Sequence, residues 1–375
     1  MRQLLVREHA SHRRALVGLK YALLHPVVRD EPLTLLASGL YTIEPWFLRG
    51  HDFATNEPGV NADALLIVHI LGTGENVYSP LIGLRLLCKE DPRLLGFRHV
   101  IVDTPHDAAS YLGPAEFGAR VRRVLAPLLA REERVVIVGL SRGAMTAVDL
   151  GADLACERAM PVGILSLAPP LTRPNTLPAS VRTIGALEPI AENFLRYLEL
   201  QPWLRGFGTW VLRIFYLRFS AFVLAELHMD DPASLGLFAR FIAQIDPKVA
   251  CLRAVREFGL LCRVSDAELR HALSGALQRL AVSDSARVIV SWGAEDTWLE
   301  VERCRARMAE KCEQQGVPSA RVSSHVLPGI GHGLGRGAEQ EYSQLAQWLW
   351  QLTQHARSVE VRARTDRGVM MRGLS

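Results

Sequence analysis

The residues Gly139-Leu140-Ser141-Arg142-Gly143 follow the apolar run VVIV, Val135 to Val138, and lead into a helical pattern that begins at Arg142. A serine between two glycines at a strand-to-helix junction marks a turn so tight that side chains at both flanking positions would collide. Such a turn lifts the Ser141 hydroxyl clear of the sheet. A serine hydroxyl is a poor nucleophile until a base takes its proton, so chemistry there also needs a histidine and a carboxylate. Both occur at later strand ends. The run RVIVS, Arg287 to Ser291, leads into Trp292-Gly293-Ala294-Glu295-Asp296-Thr297. The run RVSSHVL, Arg321 to Leu327, leads into Pro328-Gly329-Ile330-Gly331-His332-Gly333. Glu295 and Asp296 are both candidates for the carboxylate. His325 lies inside its strand, out of reach of the sheet's carboxyl edge, whereas His332 sits in the glycine-rich loop beyond it. Of the other histidines, His69 and His106 alone fall where they bear on a site.

These residues need a sheet to hold them. Short apolar runs at Ala64 to Ile70 (ALLIVHI), His99 to Val102, Val135 to Val138 and Gly163 to Leu167 alternate with helical patterns at Phe117 to Ala130 and Arg142 to about Ala155. That alternation predicts a doubly wound, mostly parallel α/β sheet. It stops after Leu167: Pro169, Pro170, Pro174 and Pro178 punctuate the exit, and helices alone are expected from Pro189 to about Leu280. Strands resume at Arg287 and Arg321, with helices at Glu300 to Cys312 and Glu339 to Leu352. The expected organisation is a helical or irregular segment over 1–60, a core over 61–168 and 286–355, an inserted helical cap over 169–285, and a disordered basic tail over 356–375.

GLSRG, GAED and GIGHG, each after a strand and in the order serine, aspartate, histidine, resemble the α/β-hydrolase superfamily over roughly Ala64 to Leu352. The resemblance implies Ser141 as nucleophile, His332 as general base and then acid, and Asp296 as the carboxylate that orients the imidazole. It places the helical insertion where that family carries a cap or lid. It implies an oxyanion hole of two backbone amides, that of Arg142 and one from the loop after ALLIVHI. There the family's usual His-Gly is His69-Ile70, which makes Leu71 the second donor and Gly72 the alternative. No cofactor and no metal are implied. The activity expected is hydrolysis of carboxylic esters of apolar acyl groups through an acyl-enzyme. Thioester hydrolysis or acyl transfer on the same residues is the alternative within enzymes, and a non-catalytic hydrolase-like protein binding an apolar ligand is the alternative outside them.

Composition excludes other classes. The chain has 375 residues, 49% hydrophobic and 22% charged, enough for a large core and too apolar for disorder. A net charge of +4 gives no case for nucleic-acid binding. Its six cysteines form no C-x-x-C pair and have no histidine at zinc-ligand spacing, so neither a disulfide framework nor a metal site is expected. Gly72-x-Gly74 after a strand opens like a dinucleotide fingerprint, but Val77 stands where a third glycine belongs and Asp103 comes too late for the ribose carboxylate. Charged residues interrupt every apolar run before Tyr21, so no secretory signal is read and the cytoplasm is the expected compartment.

The cap sequence points to substrate and surroundings. From Trp203 to Leu227 the chain is long and apolar enough to suggest a membrane span, but Arg205, Arg213 and Arg218 would each cost about 2.5 to 3.5 kcal/mol at a span's centre. Arg205, Thr209, Arg213, Tyr216 and Ser220 instead trace a narrow polar stripe on a mostly buried or surface-inserting helix. Trp203, Phe207 and Trp210 are the candidate substrate-pocket residues, unless they pack the cap onto the sheet. An apolar acyl ester is the expected small-molecule partner. Net charge resides at the ends, +3 over residues 1–31 and +3 over 356–375, with −2 between them. Basic ends with an apolar lid allow transient contact with an acidic membrane surface.

Overall fold

In a computed structural model of the chain, residues 2–24, 31–37, 40–44, 47–48, 65–72, 75, 77–103, 114–172, 179–201, 205–226, 232–332 and 339–372 are described. A helix, α1 (Arg2–Leu24), precedes the hairpin β1 (Leu33–Ala37) and β2 (Leu40–Ile43). The alternation then runs β3 (Leu66–Ile70), α2 (Ser79–Glu90), β4 (Arg98–Val102), α3 (Pro114–Leu129), β5 (Val135–Leu140), α4 (Arg142–Glu157) and β6 (Val162–Leu167). Six helices follow: α5 (Ala179–Ala186), α6 (Glu188–Leu200), α7 (Arg205–Glu226), α8 (Pro232–Gln244), α9 (Pro247–Arg263) and α10 (Asp266–His271). The chain ends with α11 (Ser274–Val282), β7 (Ala286–Gly293), α12 (Val301–Gln314), β8 (Val322–Leu327) and α13 (Glu339–Arg372).

The strands form one eight-stranded sheet in the order β1-β2-β4-β3-β5-β6-β7-β8. The β1–β2 and β2–β4 pairs are antiparallel and every other pair is parallel. Central strands buried on both faces read as continuous apolar runs, the pattern of ALLIVHI and VVIV. Alternate residues feed two cores. Ile67, Val136, Leu165 and Ile289 pack under α2, α13 and the cap, whereas Val68, Ile137, Ile164 and Val288 pack under α3, α4, α11 and α12. An ion-pair cluster ties three helices of the second face: Arg122 of α3 and Arg279 of α11 both meet Asp149 and Asp153 of α4.

Three features depart from the sequence expectation. The β1–β2 hairpin occupies part of the segment read as helical or irregular; β1 buries only Leu33, so it lacks the alternation that would announce a strand. Helix α13 does not stop at Leu352 but continues to Arg372, through the tail expected to be disordered. Ala356 continues past the expected end the buried face of Leu345, Leu349 and Leu352, and no proline or glycine intervenes before Gly368. Finally, α11 lies inside the span assigned to the cap, yet it packs against α4 as part of the sheet's own helical layer. In α7 the polar stripe turns partly inward: Arg213 is exposed while Tyr216 and Ser220 are buried.

Candidate active site

Strands β5 to β8 run in a register that sets Leu140 beside Leu167, Leu167 beside Ser291 and Gly293 beside Leu327. The turns carrying Ser141, Asp296 and His332 therefore all leave the sheet at its carboxyl edge. Ser141 sits at φ 53° and ψ −118°, a region costly for any residue with a side chain. Its amide donates to the Leu167 carbonyl at 2.8 Å, which pins the turn to the neighbouring strand. The two glycines are required sterically. A Cβ on Gly139 would fall 2.2 Å from the Gly143 carbonyl oxygen, and one on Gly143 would fall 2.3 Å from that of Ile70.

Asp296 is held on both carboxylate oxygens. Oδ1 accepts from the amides of Trp298 and Leu299 at 2.8 and 3.0 Å, and Oδ2 lies 2.8 Å from His332 Nδ1. An ionised carboxylate only accepts, so Nδ1 carries the proton and Nε2 is left with the lone pair a base needs. The imidazole is steadied from its face by Trp298, 5.1 Å away between ring centroids and within 12° of parallel. The two loops are fastened together: Ala294 N donates to Leu327 O, Glu295 N to Ile330 O, and a Cβ on Gly293 would fall 2.0 Å from Ile330 O. Glu295, the neighbour of Asp296, is exposed. His325 packs its ring on Trp348 at 4.5 Å within β8. A small cavity beside His332 is lined by Leu140, the residue before Ser141, and by Trp292 and Ile330.

The loop after β3 reaches the serine. A Cβ on Gly72 would lie 3.2 Å from Ser141 Cβ and 2.9 Å from the Leu140 carbonyl, so the Leu71–Gly72 peptide borders the Ser141 turn. The Gly72 amide donates to the Glu75 carboxylate. Beneath this loop His69 Nε2 and His99 Nδ1 are 3.1 Å apart, and His99 Nε2 donates to the Leu94 carbonyl at 3.0 Å. Burial and the adjoining His99 ring keep His69 well below the usual histidine value. His69 is thus a neutral support for the loop.

Ser141 also lines a cavity of about 540 Å³ between α4 and the cap. Met145, Leu261, Leu269 and Leu273 give it apolar walls, and Arg142 and Glu257 a polar patch close to the serine. Arg142 is buried; its guanidinium lies over the Phe117 ring at 4.1 Å and donates to Glu257 of α9 at 3.2 Å. Two of the pocket residues expected from sequence lie elsewhere. Phe207 and Trp210 are on the solvent side of α7 and line none of the cavities described, and Trp203, like His106, is outside the described residues. Glu257 went unread in the sequence because tertiary packing brings it to the site. Glu75 and Trp298 had local signals that went unread: Glu75 is an acceptor three residues after the Gly72 amide, and Trp298 is the second residue after an aspartate that could accept its amide. Among the described residues no group of three or more histidine, cysteine or acidic side chains is placed to hold a metal.

Strand order, crossover sheet, serine turn after the fifth strand and helical insertion after the sixth belong together. This is an α/β-hydrolase fold with a helical cap. No protein-family model and no curated protein sequence matches the chain. Solved structures with a similar α/β-hydrolase outline include a bacterial membrane phospholipase A, at 17% identity over 79% of this chain and 81% of that one, TM-score 0.45. A proline iminopeptidase from Mycobacterium smegmatis is similar at 15% identity over 80% and 92%, TM-score 0.42. A monoacylglycerol lipase from Paleococcus ferrophilus is similar at 14% over 76% and 94%, TM-score 0.42. At these scores the likeness is one of outline and bears on neither bond nor substrate.

Proposed function

We propose that the protein hydrolyses carboxylic esters of apolar acyl groups through an acyl-enzyme on Ser141. In this reading the Ser141 hydroxyl attacks the ester carbonyl while its proton passes to His332 Nε2. Asp296 keeps the opposite nitrogen protonated and offsets the imidazolium charge. The amides of Arg142 and Leu71 stabilise the oxyanion. His332 then returns the proton to the departing alcohol, and water, deprotonated by the same nitrogen, releases the acid.

The observation that carries the reading is the Asp296–His332 hydrogen bond at the sheet edge that also presents the strained Ser141 turn. The apolar walls of the cavity beside Ser141 support an acyl group as the bound portion. The test is labelling with a fluorophosphonate, with the adduct mapped by mass spectrometry. Label at Ser141, abolished by Ser141→Ala and by His332→Ala, is expected. Folded protein that leaves Ser141 unlabelled overturns the reading. Activity on p-nitrophenyl esters should fall by about 10⁶ in Ser141→Ala, and comparison with acyl-CoA substrates separates ester from thioester preference.

A further inference from the structure

We propose that the outer face of the cap, made by α1, α6 and α7, docks on an anionic lipid surface. Large apolar side chains there face water. Phe207 and Trp210 on α7 are 64% and 58% exposed and stack on each other at 6.0 Å. On α6, Ile190, Phe194 and Tyr197 follow the spacing that sets side chains on one helical face, and all three are exposed. Tyr21 and Leu24 on α1 are exposed as well, opposite the buried Ala15, Leu19 and Ala22 that seat this helix on the cap. Helix α1 packs along α7, with His12 Nε2 3.3 Å from the Arg218 carbonyl, so the two belong to one layer.

Charge names the occupant. By sequence these three helices carry nine basic and five acidic residues, a net of +4, and among their described side chains the exposed cations are Arg13, Arg14, Lys20, Arg196, Arg213 and Arg218. Aromatic side chains with arginine and lysine beside them make a helix that lies in the lipid interface, rings at headgroup depth and cations on the phosphates. A second copy of the chain fits less well, because a face of net charge +4 set against itself is repelled whereas an anionic surface attracts it. Among the described residues no helix is long and apolar enough to cross a membrane, which agrees with lying on the surface. The inference deepens the ester-hydrolase reading by naming the phase from which an apolar acyl ester is taken, and it rests on that reading for its purpose alone.

The experiment uses the full chain with vesicles of phosphatidylcholine, alone or with about a third phosphatidylglycerol, read by co-sedimentation and by quenching of tryptophan fluorescence with brominated lipid. Binding to the anionic vesicles about tenfold tighter than to neutral ones, and weaker in high salt, is expected. Trp210→Phe should lose part of the quenching. Ile190→Ser with Tyr197→Ser should weaken binding about tenfold, and Arg196→Gln with Arg213→Gln should remove the preference for anionic lipid. Neither pair should change hydrolysis of a water-soluble short-chain ester. No binding, equal binding to both vesicles, or binding that both pairs leave unchanged overturns the proposal. So does self-association abolished by Ile190→Ser with Tyr197→Ser in a protein that ignores vesicles. Sedimentation and quenching read no turnover, so an unlabelled Ser141 would sink the hydrolase reading and leave the docking result standing.

Discussion

Asp296 accepts from the amides of Trp298 and Leu299 and from His332, and that full set of bonds decides what its replacement would do. Asn keeps the size but turns one acceptor into a donor, so either an amide or the imidazole loses its partner. Asp296→Asn should fold, by circular dichroism, while kcat falls by about 10⁴ because the imidazole loses the tautomer that leaves Nε2 free. The buried pair His69 and His99 gives a second expectation, in stability. Burial lowers His99 to about 4, and burial with the neighbouring ring holds His69 well below its usual value. Both folded values lie beneath the unfolded value of about 6.5, so the unfolded chain takes up protons first. Their stabilising contribution is whole above pH 6.5 and drains as pH falls towards 4, so urea midpoints should hold between pH 8 and 7 and decline below 6. The placement of Ser141, Asp296 and His332 at the sheet's carboxyl edge could be read because each sits in a glycine-rich turn directly after a strand, where local sequence sets the position. Phe207 and Trp210 misled because aromatic content tells that a surface is apolar, not which way it faces.

Between elements, the contact with most leverage is the Arg142–Glu257 pair, which joins the residue after Ser141 to α9 of the cap. Both side chains are buried, so Glu257→Ala leaves a guanidinium without its counter-charge and should cost about 3 to 5 kcal/mol. Arg142→Met with Glu257→Leu, which removes both charges, should recover most of that loss in urea titrations. The glycine contacts are as decisive. Gly143→Ala would force a Cβ against the carbonyls of Ile70 and Leu71, and should abolish labelling of Ser141 even where the protein folds. The central parallel strands could be read from their continuous apolar runs, because strands buried on both faces have no freedom to be polar. The hairpin at the edge and the long end of α13 could not. An edge strand such as β1 buries a single residue, and a helix carried forward from a packed segment needs no apolar repeat of its own.

For the whole molecule, α1 acts as a strap laid over the cap rather than as part of the sheet. It packs against α7 and α8, and a Cβ on Gly18 would fall 2.5 Å from Leu235, so the seating is close. Leu19→Ala, at a position with no exposure, should cost about 2 to 5 kcal/mol. Hydrogen exchange should quicken in α7 and α8 and stay slow in β5 and β6. This seating also bears on the order in which the chain is made. Helix α1 finds its partners only when residues 205–244 have followed it, and His332 arrives later still, in the loop after β8. Contacts so distant along the chain are slow to close, and the apolar faces of α1 wait uncovered in the meantime. On the proposed reading, a nascent chain halted before β8 would hold Ser141 in its turn yet lack the base assigned to His332, and would stay inert until β8 and its outgoing loop are made.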